Sequence, residues 1–239
     1  MKAAVKLDQW RRSAIPFWLE HSWDQDRGGF YESLDLAGRP IKHESRRVRV
    51  QARQVYSFAK LHALGWAEGL ALAEDGWAYI QKYAAHSDGG FVHSLTPDGC
   101  AENSMRDLYD HAFLLLAGAT LWSVTKKPNY QRDCQSILDF LDRQMAHPKV
   151  GFVESLGGPM SPRRQNPHMH LFEALMAYHH AGGAGALQRA DAIKEMFSEY
   201  FYSADSGKLF EFFEDDFGSV SAVKGEVAEP GHLAEGVWP

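Results

Sequence analysis

The chain has 239 residues, 45% of them hydrophobic and 23% charged, with a formal net charge of −6. That is an ordinary globular balance, long enough for one large domain or two small ones. The acidic sign without a basic stripe argues against a nucleic-acid partner, no apolar run approaches the ~20 residues of a membrane span, and MKAAVKLDQWRRSAIPFW lacks a signal peptide's apolar block.

The first predicted element is a charged helix over about 6–21. GGFYESL follows at 28–34, alternating apolar and polar residues between the turn signals Asp26 to Gly29 and Gly38, and it reads as a short β-hairpin. Residues 51–64, QARQVYSFAKLHAL, place Val55, Phe58, Ala59 and Leu61–His62 at helical spacing. The same order then recurs. A charged helix over 67–85 leads to GGFVHSL at 89–95, bracketed by Ser87 to Gly90 and Pro97-Asp98-Gly99, and an apolar helix follows over 107–122. A third round gives a helix over 128–146, GFVESL at 151–156 and a helix over 166–181. A fourth gives a helix over 185–202, the weaker copy DSGKLFEFFEDD at 205–216, and a helix start at 229.

Phe30, Phe91 and Phe152 mark a fixed period, and such self-similarity decides the fold. The helices before each hairpin are charged, as in QRADAIKEMFSEY at 188–200, and read as outer and half-exposed. Those after it are apolar throughout and read as inner. Paired helices bury their apolar faces only by stacking on neighbouring pairs. Long hairpins on one side favour a closed α/α toroid over an open solenoid, because they would cap one mouth. The expected fold is therefore all-α: one partial toroid over 1–239, three and a half units and about seven to eight helices, with short β-hairpins between them.

Polar side chains cluster where the inner helices begin: Arg49, Gln51 and Arg53; Arg106, Asp107, Tyr109, Asp110 and His111; Arg163, Arg164, Gln165, Asn166, His168, His170 and Glu173; Glu229, His232 and Glu235. In a toroid these starts converge on one mouth. Asp107, Asp110 and His111 share one helix face, as do His170 with Glu173 and His232 with Glu235. A plainer reading gives Asp107 and Asp110 an electrostatic role at a helix N-terminus. His168 and His170 point apart on a helix, and HExxH and paired CxxC are absent, so no metal is expected. Arg53, in an otherwise apolar helix, is expected to be buried and to need an anion, a carboxylate or a polyhydroxylated ligand. His62, His86, His179 and His180 lie far from the helix starts and read as structural or surface residues. Phosphate loops, GxGxxG and GxSxG are absent.

Four segments in order, HESRRVRVQARQVYSFA (43–59), DLYDHAFLLLA (107–117), RRQNPHMHLFEAL (163–175) and EPGHLAE (229–235), resemble the N-acylglucosamine 2-epimerase superfamily, which includes mannose isomerases and cellobiose 2-epimerases. The likeness covers almost the whole chain, and RRQNPHMHL leans towards the mannose-isomerase branch. It implies an (α/α)6 barrel, no cofactor and no metal, and a small-molecule sugar as partner. By the same resemblance Arg53, His170, Glu173, Tyr109, Asp110 and Asn166 bind substrate, while His232 and Glu235 are catalytic. The implied chemistry is aldose–ketose isomerisation of the mannose–fructose type, or 2-epimerisation of an N-acylglucosamine or cellobiose type. Both run by proton transfer through a cis-enediolate, for which imidazole has the right pKa range and a fixed guanidinium stabilises the charge.

The segment LAEGVWP departs from the family pattern, since Gly236 costs about 1 kcal/mol in a helix interior and Pro239 could not lie deeper in one. It is expected to mark a truncation that removes a further catalytic His, leaving the activity of this chain in doubt and an open barrel edge able to recruit a second copy. Two rival readings stay open: a sugar-binding remnant without catalysis, and an inverting glycosidase using Asp107 or Asp110 with Glu235 across ~6.5–9.5 Å. Two cysteines, Cys100 and Cys134, cannot build a disulfide framework, and free thiols fit a cytoplasmic location.

Overall fold

The computed structural model describes residues 2–218 and 227–236; the side chains of residues 2–4, 233, 235 and 236 lie outside that description. Its helices are α1 (Lys2–His21), α2 (Val48–Ala63), α3 (Glu68–Tyr83), α4 (Leu108–Thr125), α5 (Pro128–Phe140), α6 (Gln165–Ala181), α7 (Ala186–Met196) and α8 (Pro230–Gly236). Short strands fall between them: β1 (Arg46–Arg47), β2 (Ser94–Leu95), β3 (Ala101–Asn103), β4 (Arg106–Asp107), β5 (Ser155–Leu156), β6 (Arg163–Arg164), β7 (Tyr202–Ser203), β8 (Lys208–Leu209) and β9 (Phe212–Phe213). The predominantly helical architecture matches the expectation, and the helix boundaries agree within a few residues except at the last turns of α5 and α7. There the chain widens to π-helical pitch over Leu141–Met145 and Phe197–Phe201.

The inner row is α2, α4 and α6, with α4 packed between the other two; α3, α5 and α7 back them from outside. The arrangement is an arc of an α/α toroid. Residues His111 to Leu121 of α4 are all buried, which is why its sequence shows no polar face. Its start is capped by Asp107, whose carboxylate accepts from Tyr109 N at 2.8 Å and Asp110 N at 3.4 Å. Lys126 closes it in the left-handed region, and Pro128 opens α5. One apolar core runs from Phe30 to Ile193, and a smaller one gathers Met196, Phe201, Leu209, Phe213 and Phe217.

The repeated phrase does two things. Its Phe closes a tight glycine loop by an antiparallel bridge to the end of the outer helix: Trp23 to Phe30, Ala85 to Phe91, Ala146 to Phe152. The residues after the Phe then pair backwards, with the strand that leads into the previous unit's inner helix. Thus β2 pairs with β1, β5 with β4 and β9 with β6, all antiparallel. A hairpin within the phrase, as expected from sequence, forms in the first copy around the Leu34–Pro40 bridge and in the second as β2–β3, whereas β7–β8 closes the loop before the fourth. The phrase is thus chiefly a connector between units.

Each loop is held from below by one buried polar residue on its own inner helix. Gln51 donates to Phe30 O at 2.8 Å and accepts from Phe30 N at 2.7 Å. His111 Nε2 accepts from Phe91 N at 3.0 Å, and His168 Nε2 accepts from Phe152 N at 3.1 Å. Arg46, Arg106 and Arg163 grip the same loops through carbonyls of Gly28, Gly89 and Phe152. Burial holds both imidazoles neutral, His111 at about 4 and His168 at about 3. The loops admit no side chain: a Cβ on Gly90, at φ +73°, would lie 2.6 Å from Phe140.

Candidate functional site

Much of the polar cluster at the helix starts is thereby assigned to structure. Gln51, His111, His168, Arg46, Arg106 and Arg163 hold loops. Asp107 caps α4 and meets Arg164 at 3.3 Å, as the plainer reading of that residue expected. Asp110 does not share this role, because its carboxylate turns elsewhere.

Of the rest, Arg53, His170 and Glu173 face a cavity of about 1040 Å³ bounded by α2, α4, α6 and α7, with Ala234 of α8 on its wall. Arg53, Tyr56 and Lys60 line it from one face of α2, Phe113 from α4, and His170 and Glu173 from α6. Their contacts are continuous. The Arg49 guanidinium lies 5.4 Å from the Tyr109 ring centre and that of Arg53 4.8 Å from Phe113. Tyr109 and Phe113 are 5.0 Å apart, and His170 meets Tyr109 edge-on at 5.1 Å and Phe113 at 4.7 Å. Two cations on α2 thus match two rings on α4, four residues apart on each helix, so the two helices run parallel in register. His170 Nδ1 stands 3.2 Å from Glu173.

Arg53 corrects one expectation. It is exposed to the cavity rather than buried, and among the described residues its side chain has no hydrogen bond or ion pair. The wholly buried arginines are instead Arg163 and Arg46, the latter donating to buried Asp24 at 2.5 Å.

Asp110 is fully buried. It accepts from His93 Nδ1 at 2.6 Å, and its other oxygen lies 3.5 Å from Arg49. Burial raises the Asp110 carboxyl to about 6, and the bond to Asp110 raises His93. Sequence reasoning missed His93. The signal was available, because the other copies carry a glutamate there (Glu32, Glu154 and Glu211).

His232 stands at the start of α8. Its Nδ1 donates to buried Glu211 at 2.9 Å, and Nε2 lies 3.6 Å from Glu229. Glu211 also accepts from Gln165 of α6 at 3.0 Å and from Glu229 N at 3.3 Å, so it ties α8 to α6. Sequence reasoning paired His232 with Glu235, whose side chain lies outside the described residues; Glu211 was missed. Asn166 is half-buried in the first turn of α6, and its Oδ1 has no hydrogen bond among the described residues. His180, set aside from the site by sequence, lines the far end of the cavity. Among the described residues no three His, Cys, Asp or Glu side chains gather as a metal cluster, and no helix is long and apolar enough to cross a membrane.

The sequence matches the model of the N-acylglucosamine 2-epimerase (GlcNAc 2-epimerase) family over residues 29–238. It is 37% identical over 234 residues to a protein of Rhizobium meliloti (strain 1021) named mannose-6-phosphate isomerase, covering 95% of this chain and 59% of that one. Among solved structures, a sugar epimerase from a ruminal bacterium superposes with a TM-score of 0.84 at 20% identity, covering 94% of this chain and 60% of that one. A D-mannose isomerase superposes with a TM-score of 0.81 at 22% identity, covering 90% and 56%. These superpositions bear on the fold, a toroid, and the chain spans less than two thirds of each of these relatives.

Proposed function

The chain belongs to the N-acylglucosamine 2-epimerase family, and from that premise we propose that it carries the sugar site of an aldose–ketose isomerase of the mannose–fructose type. The observation that carries this reading is an imidazole held at Nδ1 by a buried carboxylate, His232 on Glu211, on the helix whose Ala234 lines the cavity that also receives, from α2, the Arg53 guanidinium, which has no hydrogen bond or ion pair among the described residues.

The chemistry follows from those two groups. With the sugar ring open, a base removes the hydrogen on C2. His232 suits this step: Glu211 fixes its Nδ1–H, so Nε2 carries the lone pair. The cis-enediolate that forms gathers negative charge near O1 and O2. Arg53, with no internal partner among the described residues, is free to face that charge, and a fixed cation stabilises it more than the neutral sugar. Returning the proton to C1 gives the ketose. Returning it to the other face of C2 gives the epimer, so a 2-epimerase shares every earlier step. His170, packed against Tyr109 and Phe113, offers a polar edge beside an aromatic wall, the surface that a sugar's hydroxyls and C–H face require. Glu173 and Asn166 complete the set on α6, Asp110 is too buried to touch a sugar and bears on the site only through Arg49, and Glu235 joins His232 in this reading as the residue three positions further along the same helix. An inverting glycosidase is disfavoured because both candidate carboxylates are engaged, Asp107 with Arg164 and Asp110 with His93. The two free cysteines support a reducing, cytoplasmic location.

Incubation with D-mannose in heavy water tests the proposal. Fructose together with deuterium at carbon is the expected result. Saturable binding without exchange would reduce the chain to a sugar-binding protein, and neither binding nor exchange would refute the reading.

A further inference from the structure

The residue two places after the repeated Phe has one task in the first and third copies. Glu32 and Glu154 accept from the backbone N–H of Arg47 at 3.0 Å and Arg164 at 3.1 Å, and also grip those arginines' side chains. In the second copy the residue is His93, and Asp107 occupies the arginine's place. The imidazole turns instead to Asp110, one helical turn further along, at 2.6 Å. Asp110 has one oxygen on His93; the other has no hydrogen bond among the described residues and faces Arg49 of α2 at 3.5 Å. Interiors rarely leave a carboxylate oxygen in that state, and a charge buried without payoff is selected against by its desolvation cost. Arg49 in turn lies over Tyr109, and Tyr109 meets His170. A line of contacts therefore runs from the second loop, through a buried carboxylate, to the cavity wall.

We infer that His93 and Asp110 are positioning residues: they hold Arg49 over Tyr109 and so fix the ring face against which His170 and a bound sugar pack. The inference rests on the sugar-site reading above. Asp107, beside the pair on α4, and Arg49, on α2, are the other charged groups facing it. Neither of these touches His93 by hydrogen bond, so among the described residues Asp110 alone accepts its proton.

Calorimetric titration of the full chain with D-mannose tests it, using Asp110→Asn, Arg49→Gln, the double variant and His93→Glu, each first checked for an unchanged thermal midpoint. Asp110→Asn and Arg49→Gln are each expected to weaken binding about fivefold or more, and the double variant no further than the worse single one, since both cut the same line of contacts. His93→Glu restores the glutamate of the other copies. It is expected to bind as poorly as Asp110→Asn, because it sets two carboxyl groups against each other. Histidine NMR gives a second measurement: Asp110→Asn should lower the His93 titration midpoint. Additive losses, an unaltered affinity in Asp110→Asn, a mannose affinity for His93→Glu equal to wild type, or an unmoved His93 midpoint each overturn the inference alone. A wild-type chain that binds neither mannose, fructose nor N-acetylmannosamine overturns the sugar-site reading and the positioning role with it.

Discussion

Glu211 and His232 meet at 2.9 Å at the point in the repeat where, two units earlier and again one unit earlier, a loop residue reaches back to its own inner helix. In the first and third units that reach ends on an arginine and serves the fold. In the second and fourth it ends as an imidazole–carboxylate pair, with the partners exchanged: His93 on Asp110, Glu211 on His232.

Replacing Glu211 with Gln keeps the size of the side chain but removes the charge that fixes the His232 ring. Mannose turnover should fall about tenfold or more, within the range that acid–base groups contribute. Glu32→Gln, the same position in the first unit, should leave turnover unchanged. Steady-state assays of both variants provide the comparison, and equal losses would show that the position acts through the fold.

Among the described residues the Arg53 guanidinium has no hydrogen bond or ion pair to lose, only its packing on Phe113. Arg53→Ala should therefore leave the thermal midpoint nearly unchanged while weakening sugar binding roughly tenfold or more, the usual size of a lost charge-assisted bond. Calorimetry with mannose, paired with a melting curve, separates the two effects.

The opposite pattern is expected at Arg46. Its partner Asp24 is as buried as the guanidinium, so Asp24→Asn leaves an unpaired cation in the core. A loss of about 3–5 kcal/mol is expected in urea unfolding. Sugar affinity should be retained in whatever fraction stays folded.

His111 and His168 make the protein sensitive to acid. Both are neutral when folded, at about 4 and about 3, and take up protons near 6.5 once unfolded. Their depressed values mean that the stability they permit is complete above pH 6.5 and is lost as the pH falls towards 4. For His111 the loss is on the order of 3 kcal/mol by linkage. Gln51 performs the same clasp without titrating, so His111→Gln and His168→Gln should flatten the decline. Chemical denaturation at pH 7, 6 and 5 would show it, and a slope equal to wild type would count against the mechanism.

The period of the phrase and the helical spacing around it made the layered helices legible, because both depend on local patterning. The roles of the polar residues were not legible in the same way. Arg53 reads as buried because its helix is apolar, yet the apolar neighbours face α3 and α4 while Arg53 faces the cavity. His168 looks like a site residue beside His170, yet two positions along a helix turn it towards the Phe152 loop. Glu211 and His93 lie in loop phrases whose partners are set by tertiary contact, although His93 is visible as the one departure from glutamate in its column.

The backward pairing of each phrase, β2 on β1, β5 on β4 and β9 on β6, also bears on how such an array can change by duplication. Every copied unit arrives with half of a joint already made and donates the other half to its successor. Lengthening the array therefore creates, in a single event, both a fresh seam and one new polar side chain at the start of an inner helix, and that side chain is free to diverge from scaffold to chemistry.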